Sequence, residues 1–123
     1  MTREVVPVAA GPSLVAVLLD ACPFLRARVD PEHLDLPTVV YGEVASLLID
    51  RKLQPDEERA VFSFLNELAF TGGSDALEVL GTGAIELFND SADAQRLGRA
   101  NFEGTALRML EDCRVRWGQA DYG

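Results

Sequence analysis

Residues 55–73 carry a complete helix signature, and it constrains what the rest of the chain can fold into. Pro55-Asp56-Glu57-Glu58 places proline in a first turn and three carboxylates against the positive end of a helix dipole. Val61, Phe64, Leu65 and Leu68 then recur at helical spacing, and Gly72-Gly73 ends the run. A helix of this pattern has one apolar face and needs other apolar faces to cover it.

The neighbouring segments supply them. A helix is predicted from Pro12 or Ser13, with Leu14, Val15, Leu18 and Leu19 on one stripe and Pro23 as its stop, and Phe24-Leu25 continues as a short helical turn. After the polar stretch 30–35, residues 37–51 form a helix whose apolar positions Val40, Tyr41, Val44, Ala45, Leu47 and Leu48 cover more than half its circumference, which points to a central place in the core. Asp75 and Glu78 have the spacing of a capping box for a further helix, with Leu77, Leu80, Gly81, Ala84, Ile85 and Phe88 on one stripe and Asn89-Asp90-Ser91 as its end. Residues 92–117 would make a helix about 39 Å long if unbroken. Gly98 and Gly104 predict a break or a close helix–helix approach, and Leu97, Ala100, Leu107, Leu110, Cys113 and Trp117 provide an apolar side. Strand-like fragments are confined to Val5-Val6-Pro7-Val8 and Arg114-Val115-Arg116-Trp117, and no Asn-Gly or Asp-Gly hairpin turn occurs. The expectation is an all-α fold, a single compact domain of five or six helices in bundle-like or orthogonal packing, with residues 1–11 and 119–123 extended or frayed. A length of 123 residues suits one domain, and an apolar fraction of 48% supplies a core without metal or disulfide staples.

Charge narrows the partners. The formal net charge is −9, and it is unevenly placed: residues 30–93 hold fourteen acids against Arg51, Lys52 and Arg59, while each flank is close to neutral. Such a field repels phosphate backbones and anionic lipid and attracts basic partners, so nucleic acid and membrane are both disfavoured. No stretch approaches the roughly 20 apolar residues of a membrane span. Cys22 and Cys113 are read as free thiols of a cytoplasmic protein. Leu19-Asp20-Ala21-Cys22 resembles a lipoprotein cleavage box, but the leading Thr2-Arg3-Glu4 has no net positive side-chain charge. Pro7, Gly11 and Pro12 also interrupt the apolar run of residues 5–19.

Catalytic patterns are sparse. Gly81-Thr82-Gly83 lies within a helical stripe and reads as packing rather than as a phosphate loop. His33 is the sole histidine, and one His with two distant Cys does not make a conventional zinc site. A Cys22–His33 pair or a carboxylate pair is the enzymatic alternative; the reading is no enzyme, no metal and no cofactor. Among the aromatics, Phe24, Phe62, Phe70, Phe102 and Trp117 stand off or beside the main stripes, and Phe62, next to the acidic turn and roughly in line with Phe70, is the leading candidate for a partner anchor.

The stretches Val39-Val40-Tyr41-Gly42-Glu43-Val44-Ala45 and Gly83-Ala84-Ile85-Glu86-Leu87-Phe88, through to Trp117, give residues 36–117 the look of a known group. The chain resembles the small acidic helical immunity proteins that bacteria make against polymorphic or contact-delivered toxins, and related bacterial helical families without assigned function. The resemblance implies a non-catalytic protein that neutralises a cognate toxin by binding it. Immunity families are defined by their partners, so no site residue is carried over. An acidic inhibitor of a basic enzyme gains steered association and occupies a cleft built for an anion. The expected partner surface is Glu43 and Asp50, then Asp56, Glu57 and Glu58, with Phe62 as apolar anchor, and Asp75 and Glu78. The alternative is a helical adaptor or a self-associating subunit of a larger assembly, which would show an exposed apolar patch.

Overall fold

A computed structural model describes residues 12–116, and Val5-Val6-Pro7-Val8, Trp117 and residues 118–123 lie outside them. Among the described residues there are six α-helices and no strand, as one all-α fold. They are α1 (Pro12–Ala21), α2 (Pro37–Ile49), α3 (Pro55–Thr71), α4 (Ser74–Val79), α5 (Ala92–Asn101) and α6 (Gly104–Arg116). Short 3-10 turns at Pro23–Ala27, Pro31–His33 and Ile85–Asn89 and a π-turn at Leu80–Ala84 link them.

Proline sets the starts of α2 and α3, where its missing N–H costs nothing and its fixed φ suits a first turn. Helix α2 is central as its pattern requires: Val40, Tyr41, Val44, Ala45 and Leu48 are at most 1% exposed. The buried Tyr41 hydroxyl donates to the Leu14 carbonyl at 2.9 Å, which satisfies the phenol and ties α2 to α1. The last two residues of the lipoprotein-like box do not dangle: Ala21 closes α1 and Cys22 is buried, as is Leu19.

The α2–α3 corner is built by a backbone motif and an ion pair. Lys52 N–H reaches the Leu47 carbonyl at 2.9 Å and Arg51 N–H reaches that of Leu48 at 3.2 Å, a Schellman end to α2 with Arg51 at φ 56°. A non-glycine residue is disfavoured there. The Arg51 guanidinium then holds both carboxylate oxygens of Glu58, at 2.9 and 3.1 Å. Gln54 N–H donates to Glu57 at 2.9 Å, half of a capping box that opens α3.

The region predicted as one helix from Asp75 to Phe88 changes pitch instead. Helix α4 starts at Ser74 on Gly73, so Asp75 falls inside the first turn and makes no capping bond. After Val79 the backbone widens into the π-turn and then tightens into 3-10. The cause lies across the core: Gly83 sits on α2 so closely that a Cβ there would be 2.8 Å from the Thr38 carbonyl oxygen. The reading of Gly81-Thr82-Gly83 as packing agrees with this contact.

The two glycines of the C-terminal region divide the two expected roles. Gly98 is the close approach, where a Cβ would stand 3.1 Å from Leu110 Cδ2. Gly104, at φ +51°, follows the break at 102–103 and starts α6. Asn66 of α3 clamps that break: its Nδ2 donates to the Asn101 carbonyl at 3.0 Å and its Oδ1 accepts Glu103 N–H at 2.9 Å. The break also resets the apolar face. Ala94, Gly98, Phe102, Ala106 and Leu110 are buried, while Ala100, expected on the apolar side, is exposed.

Candidate functional site

The eight residues expected to form one surface do not share one fate. Phe62, expected as an exposed anchor, is 4% exposed. Its ring stands 5.2 Å from Phe102 and 5.9 Å from Phe88, which are themselves 5.0 Å apart, in tilted and edge-on geometry. It is therefore a core residue, because α3 is covered on the flank that faces the 85–89 turn as well as on its main stripe. Glu58 is buried against Arg51, and Glu57 is engaged with the start of its own helix. Glu43 is half-buried and holds the 30–33 turn: its two oxygens take His33 Nδ1 at 3.1 Å and Asp30 N–H at 3.3 Å. Asp50, Asp56, Asp75 and Glu78 are exposed, with no side-chain hydrogen bond or ion pair among the described residues. Helix α3, with 17 residues, separates the acids at its start from those beyond its end by about 25 Å. The exposed carboxylates thus form two groups.

The second group contains an aromatic side chain that the core does not use. Phe70 is 79% exposed, the most exposed of the large apolar side chains among the described residues. At about 100° per residue it lies about 180° around the helix from Val61, directly opposite the core stripe, whereas Phe62 lies only about 100° from Val61, near Leu65 and Ala69. That angle is contained in the sequence and separates the two phenylalanines. Glu67, also exposed, lies one turn before Phe70, and Asp75 and Glu78 follow across Gly72-Gly73. The segment that runs from the end of α3 into α4 therefore carries one exposed apolar ring and three exposed carboxylates that have no side-chain partner among the described residues.

Comparison with protein-family models, curated proteins and solved structures finds no match to this chain.

The residues of the enzymatic alternative are engaged in the fold. Cys22 is 1% exposed and burial pushes its thiol pKa up, which disfavours the nucleophilic thiolate. The hydrogen bond to Glu43 raises the pKa of His33, with Asp30 adding in the same direction from 4.0 Å. Cys113 is half-buried, and no disulfide joins it to Cys22. Two surface grooves stand out among the described residues. One, of about 440 Å³, runs between α4 with its π-turn and α6, over Leu77, Gly81, Met109 and Cys113, with Glu78 and Asp112 on its walls. The other, of about 460 Å³, lies between α1 and α3 over Val17, Phe64 and Leu68, with Asp20 and Glu67 beside it. Asp20 is already paired with Arg26 at 3.0 Å. Among the described residues no helix is long and apolar enough to cross a membrane.

Proposed function

We propose that this protein binds a basic protein partner through the α3–α4 corner and blocks that partner's activity, in the manner of an immunity protein acting on its cognate toxin in the cytoplasm. The observation that carries the reading is Phe70, 79% exposed one helical turn after exposed Glu67, near the end of a helix that is followed in sequence by exposed Asp75 and Glu78. An exposed aromatic ring on an acidic segment has the composition of a binding hot spot, where the ring is desolvated by the partner and the carboxylates steer the encounter. The −9 net charge extends that steering over the whole molecule. Inhibition follows from geometry: a cleft evolved for an anionic substrate accepts a surface of the same sign, and occupying it excludes substrate.

The test is capture by the tagged protein from its native host at low and moderate salt, followed by an activity assay of the captured enzyme. The expected result is one basic protein whose activity is abolished on binding. Phe70→Ala should weaken that binding roughly 30-fold or more, the 2 kcal/mol or larger effect of a hot spot. Capture that is indifferent to Phe70→Ala would refute this surface.

A second reading, a self-associating subunit, has its own observation. Leu34, Leu36 and Val39 are 40%, 46% and 41% exposed around the start of α2. A stable homo-oligomer in solution, dissociated by Leu36→Glu and Val39→Glu, would favour it.

A further inference from the structure

The groove between α4 and α6 has a two-part character. Its floor is apolar: Leu77, Met109 and Cys113 are half-buried along it. Gly81 keeps it open, because any side chain there would project toward the Met109 methyl, 3.5 Å from the first added carbon. Its walls are anionic. Glu78 stands on α4 and Asp112 on α6, both exposed and neither with a side-chain hydrogen bond or ion pair among the described residues.

The contrast with the next residue is informative. Glu111 is served twice, by Arg99 at 3.0 Å and Arg114 at 3.5 Å, and Arg108 is turned to Thr105 at 3.2 Å. Arg99 and Arg114 thus serve the adjacent carboxylate, and among the described residues the groove's two acids, with a formal charge of −2, have no cation paired to them. Ser74 and Thr82 add hydroxyl acceptors at its edges.

We propose that this groove receives an arginine side chain of the basic partner, a deepening that rests on the protein-binding reading above. The aliphatic stem lies on Leu77 and Met109, and the guanidinium sits between Glu78 and Asp112. Arginine suits the site because its stem is apolar while its five N–H donors spread over a planar fork, enough to serve two walls at once. A lysine ammonium has the charge without that spread. Glu78 belongs both to the acidic segment that follows α3 and to the groove, so this one carboxylate links the two parts of the proposed surface.

The test uses the full chain and a blocked arginine, N-acetyl-arginine amide, titrated by heteronuclear NMR, with N-acetyl-norleucine amide as the apolar control. Shifts should gather on Leu77, Gly81, Thr82, Met109 and Cys113, with a dissociation constant in the millimolar range expected of so small a ligand. Glu78→Gln with Asp112→Asn should weaken binding about three- to tenfold, the scale of two exposed ion pairs. Both substitutions are at exposed positions, and an unchanged melting temperature verifies the fold. Shifts scattered over the surface, shifts of equal size with the norleucine control, or shifts indifferent to the double substitution would each overturn the groove assignment. In partner capture, the corner and the groove separate. There the groove is probed by Asp112→Asn alone, which lies outside the corner: loss on Phe70→Ala without loss on Asp112→Asn retains the corner surface and rejects the groove, whereas loss on both supports the groove.

Discussion

Two phenylalanines eight positions apart on α3 should respond in opposite ways to the same substitution. Phe62 is 4% exposed and meets Phe88 and Phe102 at ring distances of 5.9 and 5.2 Å. Phe62→Ala removes a ring's worth of buried area and leaves a cavity between α3 and the 85–89 turn, at a cost of about 3–5 kcal/mol. Aromatic pairing contributes about 0.5–1.5 kcal/mol per contact within that range. For a chain of 123 residues, about 4 °C of melting temperature is lost per kcal/mol, so the drop should be about 12–20 °C. Phe70→Ala, at 79% exposure, should change stability by no more than about 0.5 kcal/mol. Urea denaturation followed by circular dichroism measures both. A loss below about 1 kcal/mol at Phe62, or a comparable loss at Phe70, would refute the division between core ring and surface ring on which the functional proposal stands.

Three further outcomes follow from the packing and the charges. Gly83→Ala should destabilise by about 1–3 kcal/mol in the same denaturation assay, since its new methyl would meet the Thr38 carbonyl at 2.8 Å and backbone cannot yield cheaply. Arg51→Gly should be more stable than Arg51→Ala by about 1 kcal/mol, because both lose the pair with Glu58 but only glycine suits φ 56°. His33 should titrate above its ordinary value of 6.5 through its bond to Glu43, read by NMR, and Glu43→Gln should lower it. The sign for stability is that folding favours the protonated ring, so the gain is full below 6.5 and fades as pH rises through the folded value. His33→Gln should remove that slope from a plot of urea midpoint against pH, and an unchanged slope would contradict the role given to the Glu43 contact.

The chemistry that acts locally is the legible part of the sequence. Proline in a first turn and carboxylates at a helix start announce α3 without reference to the rest of the chain, and the wide apolar face of α2 announces its central place. The stripe from Leu77 to Phe88 misleads because its spacing continues at helical period. The widening of the backbone at Leu80–Ala84 accompanies the contact of Gly83 with Thr38, a partner some 45 residues distant in sequence that periodicity does not contain. Gly98 and Gly104 show the same limit, for one glycine serves proximity and the other a left-handed φ, and composition marks both alike. Counting acids locates the charge in the middle of the chain, yet which carboxylates remain available is decided by tertiary pairs. Glu58 is taken by Arg51 and Glu43 by His33, while Asp75 and Glu78 have no side-chain partner among the described residues, and the helical angle alone picks out the exposed ring that precedes them in sequence.

The most direct test of the central claim is the activity of the captured partner enzyme, titrated with wild-type protein and with a variant carrying Phe70→Ala, Asp75→Lys and Glu78→Lys. The wild type should inhibit stoichiometrically and the variant not at all at the same concentration, with the variant's melting temperature unchanged. Equal inhibition by a folded variant would contradict the claim, and would place the functional surface elsewhere on the molecule.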